Sequence, residues 1–334
     1  MKYGSVGVWG CGSILASYFL NEKTFQGIEI KVWKYGGIRN ITPTPPYPHT
    51  PIPPYPHTPI PPHSHTFMVL MNNQSLLIFQ FLAFWPVWKW YILRLIDSPQ
   101  ELFGLIALGT AGGFIWWSKT DLRSAKSHVV LPAVFVLLYA VTYPFLPSLV
   151  RAAIAFVAIG CTLSSYRWGI SFHSGICGLL LLSLPVIPSL QFYLGYPLRV
   201  LTGILAVPFL QLGGFTVVRE GTSLNWDGQL ILIDAPCSGV RMLWSALYLT
   251  FTLTCFYGFN TGKTCLAVLL SFLGIIAGNA LRSAALFYPE AHILALPSWA
   301  HEGIGMIVFF FTAIFIVGGI QWIRKKFPSV KRDA

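Results

Sequence analysis

From Leu76 onward, apolar residues come in long runs separated by short polar joints, at residues 76–96, 102–117, 129–146, 149–165, 175–192, 240–257, 264–287 and 303–323. A hydrocarbon core of about 30 Å takes roughly 20 residues of helix to cross, so the pattern predicts an all-α polytopic membrane protein with about eight transmembrane helices. One further stretch, "PLRVLTGILAVPFLQL" at residues 197–212, is short for a span and has Arg199 near its start and Pro208 inside it. It reads as a helix lying in the outer interface before the sixth span. After it comes "FTVVREGTSLNWDGQLILID", with β-branched and aliphatic residues at 216–219 and 229–233 and turn chemistry at 225–228. This predicts a small extracytoplasmic β-hairpin.

The first 66 residues follow a different pattern. From Pro45 they read "PPYPHTPIPPYPHTPIPPHSHT", an eight-residue unit that repeats and decays. Proline at this density forbids both helix and ladder and leaves polyproline II or disorder. Residues 1–66 are therefore expected to be a low-complexity Pro/His-rich extension or the product of a misassigned start, with Met68 or Met71 as the initiator. Residues 67–334 form the membrane domain.

Composition agrees with the runs. Hydrophobic residues make up 54% of the 334 and charged ones only 10%, with a mean hydropathy of +0.63, outside the range of ordinary soluble domains. The net charge of +11 is not a nucleic-acid signal here. Lys119, Arg123 and Lys126, then Arg167, then Lys263 and the tail "RKKFPSVKR" all fall on one side if eight spans alternate, and basic loops mark the cytoplasm. The expected location is the cytoplasmic (inner) membrane, with the lipid bilayer as a partner and no nucleic acid. None of the six cysteines forms a C-x-x-C pair, so neither a disulfide framework nor a zinc site is indicated, and no cofactor is implied.

Three features carry chemistry. The first is "DAPCSGVR", where Asp234 can cap the sixth span, Pro236 is tolerated in the first turn, and Cys237 meets free backbone N–H groups at the helix start. A thiol pKa lowered from about 8.5 to about 7 makes about half of the cysteine nucleophilic at neutral pH. Asp234 opposes that shift. Arg241, one helical turn on, neutralises Asp234 or supports the thiolate. Ser238 and Gly239 are poor core neighbours, which sets Cys237 apart from Cys161, Cys177, Cys255 and Cys265 inside apolar runs. The second is "GNALR", which puts Asn279 and Arg282 on one face near the outer end of the seventh span. An arginine at a helix centre costs about 2.5 to 3.5 kcal/mol by insertion scales, so it has a partner, a task, or an interface to snorkel to. The third is His301 at the start of the eighth span. Under the alternation above, Cys237, Arg282 and His301 share the extracytoplasmic face, where they supply a nucleophile, a cationic oxyanion stabiliser and a base or acid, the parts that cysteine acyl transfer needs.

"APCSGVR", then "GNALR" about 45 residues later, then a histidine at the next span's start, resembles the exosortase/archaeosortase family of membrane transpeptidases or proteases. The resemblance implies Cys237 as nucleophile, Arg282 as the second catalytic residue and His301 as the third, in the bacterial rather than archaeal form. It also implies exported protein substrates whose C-terminal signal is a short motif such as Pro-Glu-Pro, one transmembrane helix and a basic tail, with exopolysaccharide machinery as a further partner. The chain departs from the family mainly in its Pro/His extension. The competing readings are a transporter with Arg241 and Arg282 on an anion path, for which the second to fifth spans are too apolar, and a noncatalytic scaffold for envelope assembly.

Overall fold

The computed structural model describes residues 73–97, 102–118, 128–233, 238–293, 297 and 299–328. The Pro/His-rich extension, Asp234, Cys237 and the loop with Lys119, Arg123 and Lys126 lie outside the described residues. The described chain is helical apart from one small sheet: α1 (Asn73–Ala83), α2 (Trp85–Asp97), α3 (Phe103–Trp117), α4 (Val130–Thr142), α5 (Ser148–Trp168), α6 (Ser174–Leu182), α7 (Ile187–Leu212), β1 (Val218–Glu220), β2 (Ser223–Trp226), β3 (Gln229–Leu232), α8 (Val240–Phe256), α9 (Thr261–Glu290) and α10 (Ala300–Lys326).

By length and composition, four helices (α5, α7, α9 and α10) suffice to cross a membrane. They become five if α1 and α2, bent by 61° at a short break, are one span. The break follows from Pro86, which cannot donate to the helix, and the indole N–H of Trp88 satisfies the carbonyl of Phe81 beside it at 2.9 Å. The runs predicted at 102–117, 129–146 and 240–257 are helices of 15, 13 and 17 residues. The chain is thus a polytopic all-α membrane protein, with fewer full-length spans than the eight expected from hydropathy.

Three elements differ from the sequence reading. The fifth run, at 175–192, is not one helix: α6 stops at Leu182 and α7 begins at Ile187. Pro185 forces the break, and the carbonyls it strands find side-chain donors, Tyr91 Oη to Ser183 O at 3.0 Å and Trp244 Nε1 to Leu182 O at 3.2 Å. Conversely, no separate interfacial helix starts at Pro197, because α7 runs unbroken through Pro197 and Pro208 to Leu212. A proline inside a membrane helix removes one backbone bond, for Pro197 the one to the Tyr193 carbonyl, without having to end the helix. The expected hairpin is instead a three-stranded antiparallel sheet in the order β1-β2-β3. A tight turn at Gly221 and a left-handed Asp227–Gly228 pair, with φ of 50° and 82°, supply the two reversals. Polar Ser223 and Asn225 disguise β2, whose Leu224 is buried while Asn225 bonds Glu220 at 2.6 Å on the outer side.

Packing positions the site. Small residues let α9 and α10 approach closely and antiparallel: Gly274 lies against Phe315 and Ile316, Gly278 against Thr312, and Gly319 against Leu270. At about 1.5 Å per residue α9 is about 45 Å long, more than the hydrocarbon core needs. Its C-terminal part carries the sheet. Val217, Leu224, Ile231 and Ile233 bury against Ala206 and Leu210 of α7 and against Ala284, Phe287 and Ala291. Phe215, Trp226, Phe287 and Tyr288 interlock edge to face around them. At the other end of the bundle, Ser174 bonds Thr264 at 2.9 Å and Arg324 lies over the Tyr257 ring at 4.7 Å. The end of α5 with Arg167, the start of α9 with Lys263, and the basic last turn of α10 therefore gather opposite the sheet.

Candidate functional site

The first residue described after Cys237 is Ser238, 2% exposed, whose hydroxyl donates to Gln191 Oε1 of α7 at 2.8 Å. Gly239 follows with φ of +81°, a left-handed conformation that glycine adopts without a Cβ penalty, and its carbonyl accepts the first bond of α8 from Leu243 N at 2.8 Å. Asn279 fills the space above it: a Cβ at residue 239 would stand 2.9 Å from Asn279 Cγ. The Asn279 amide, itself 2% exposed, donates to Thr202 Oγ1 of α7 at 2.8 Å. The two motifs read as separate in the sequence are thus one packed unit held by α7. A crevice of about 10 Å³, roughly the space of one water, lies between Thr202, Ser238, Gly239 and Asn279.

Gly239→Ala is expected to cost about 1 to 3 kcal/mol, from left-handed strain plus displacement of Asn279. Gly258→Ala is the control, because φ is +62° there but nothing lies within 4 Å of a new Cβ. Thermal unfolding in detergent should put the Gly239 variant clearly below the Gly258 variant, and equal midpoints would refute the packing role.

One turn beyond Asn279 on α9, Arg282 crosses to α10, its Nε 3.0 Å from where a Gly305 Cβ would be. Any side chain at 305 would push the guanidinium away. Gly305 is one turn after His301, so Arg282 and His301 come within one helical turn of each other across the α9–α10 seam. The Arg282 Nε is buried and has no hydrogen-bond partner among the described residues. A buried donor without an acceptor is costly, which sets Arg282 apart from an ordinary surface arginine.

His301 is half-exposed and places Nδ1 3.7 Å from Glu290 Oε1. The sequence reading missed Glu290. It looked like a solvated helix end, although in a chain with only 11 acidic residues each one away from the loops is informative. Arg241 stands on the exposed side of the first turn of α8, and Asp234 and Cys237, the groups it was expected to serve, are outside the described residues. The structure therefore joins Ser238, Gly239, Asn279, Arg282 and His301 at the sheet end of the bundle and adds Glu290.

These elements all fall within residues 73–318, which match the family model described as transmembrane exosortase (Exosortase_EpsH). No curated protein and no solved structure matches the chain.

Proposed function

The chain belongs to the transmembrane exosortase family, and on that premise we propose that it is a cysteine protease or transpeptidase of the inner membrane. It cleaves the C-terminal sorting signal of exported proteins through a thioacyl enzyme. The observation that carries this reading is the convergence of three segments distant in sequence: Asn279 on the Gly239 turn, and Arg282 on Gly305 one turn from His301.

In the proposed reaction the Cys237 thiolate bonds to the peptide carbonyl carbon just outside the substrate's membrane helix, and the carbonyl π pair moves to oxygen. Arg282 donates to that oxyanion in a site where little water competes. Collapse breaks the C–N bond, and His301 gives its proton to the leaving amine. Attack by water on the thioester then regenerates the thiol and makes the enzyme a protease, whereas attack by an amine forms a new amide and makes it a transpeptidase. Glu290 faces Nδ1 of His301 and so turns Nε2 toward the reacting bond.

Co-expression with exported proteins carrying a short motif, a helix and a basic tail tests the activity. A shortened product that depends on this protein is expected, and identical substrate sizes with and without it across several candidates would overturn the reading.

In this reading the basic end of the bundle, with Arg167, Lys263 and Arg324–Lys326, faces the cytoplasm, as basic membrane flanks do, and the site at the opposite end faces outside. A membrane-impermeant thiol reagent should accordingly label a cysteine at Ser223 in intact cells and spare one at Ser124, and the reverse pattern would invert the orientation.

Glu290→Gln should lower kcat about tenfold, the equivalent of about 1.4 kcal/mol in the barrier, while KM holds. A fall in thermal stability with kcat unchanged would make Glu290 merely structural.

A further inference from the structure

Among the described residues the sheet ends on an unpaired edge, β3, beside Glu290. Ile233 N bonds Thr222 O at 3.0 Å, and the register pairs Ser223 with Leu232 and Trp226 with Gln229. In an antiparallel ladder, bonded and non-bonded pairs alternate. Gln229, Ile231 and Ile233 therefore turn their backbone groups toward β2, and Leu230 and Leu232 turn theirs outward. The side chains of Leu230 and Leu232 are 62% and 54% exposed. They line an open groove of about 520 Å³ whose far wall is Glu290 and His292. Hydrocarbon cannot satisfy outward N–H and C=O groups, so lipid is a poor occupant of this edge, whereas an extended polypeptide satisfies them in register.

The position of the groove selects the polypeptide. Leu232 lies five residues before Cys237. Glu290, on the opposite wall, lies 3.7 Å from His301. An extended segment laid along β3 thus lies beside Glu290, the partner of His301. Resting on the acyl-transfer reading above, we infer that the membrane-proximal segment of the substrate docks as a fourth strand on β3, making backbone bonds to Leu230 and Leu232 and carrying the scissile bond toward Cys237. The other outer strand, β1, is only three residues long and faces α7 rather than the site.

Disulfide mapping in intact cells tests this without turnover. The Cys237→Ala chain carrying Leu230→Cys is co-expressed with exported substrates that hold single cysteines at successive positions outside their membrane helix, and the cells are mildly oxidised. Adducts should recur at every second substrate position, and moving the enzyme cysteine from Leu230 to Leu232 should shift the pattern by two residues, the sign giving strand direction. Val218→Cys on β1 should give none. Adducts spread evenly along the segment, or no more frequent than with Val218→Cys, would overturn strand docking, as would none at all. Cleavage of the same substrates by the wild-type chain reports separately on the enzymatic reading. Alternating adducts without cleavage would sink acyl transfer alone, and cleavage with even or absent adducts would sink strand docking alone.

Discussion

Cys237→Ala should leave every co-expressed substrate at full length, a loss of about 10⁴-fold or more, in cells holding as much membrane-integrated protein as wild type. The size of the effect follows from the chemistry. Without sulfur no thioacyl bond forms, and the remaining groups can only assist direct attack by water, which is slow on an amide. The same substitution should leave the helical bundle unaltered, because the contacts that join the two motifs run through Ser238, Gly239 and Asn279. Immunoblotting of substrate and enzyme from the same membranes checks both statements. Substrate processed to the wild-type extent would remove Cys237 from the mechanism.

Arg282→Lys should lower kcat by about 10² to 10³ and leave KM nearly constant, as expected for a donor that engages charge only in the transition state. Lysine keeps the charge and loses the planar fork, and its ammonium is a compact, strongly hydrated point charge. The guanidinium is held flat over Gly305, with its Nε buried. Lysine has no group at that position. Alkylation of Cys237 by iodoacetamide should keep its wild-type rate in this variant, since Arg282 serves the oxyanion and not the thiol. A proportional rise in KM with kcat unchanged would recast Arg282 as a binding residue.

What the sequence could disclose depended on whether a residue's neighbours are local. Apolar runs are a local signal, and each corresponds to helix in the structure, although the breaks at Pro86 and Pro185 fell inside runs that hydropathy averaged over. Both prolines were visible, and the error lay in treating hydrophobicity as continuity. Pro197 misled in the opposite direction, because a proline removes a single backbone bond and need not end a helix, and α7 continues through it. Cys237 and Arg282 could be singled out because each is chemically out of place in apolar surroundings, and His301 because the alternation of spans put it on their face. Glu290 could not, since a carboxylate at a helix end is ordinary until α10 brings His301 to it. The middle strand was hidden because it is only four residues long and its second apolar residue, Trp226, abuts the Asp227–Gly228 turn, so two core side chains were too few to register as alternation.

The docking of the sheet on α9 also fixes the order in which the protein can be completed. Residues 218–232 leave the ribosome before Ala284, Phe287 and Ala291, which cover the sheet's inner face, exist. About 60 further residues must be made first, roughly 3 to 12 s at ordinary elongation rates. Until α9 is made Leu224 and Ile231 have only α7 to bury against, and Arg282 is added only near the end of that interval, with His301 after it. On the proposed mechanism, a chain halted before α9 and α10 would carry the Cys237 thiol without the two groups proposed to act with it, so no cleavage is expected until α10 has been added.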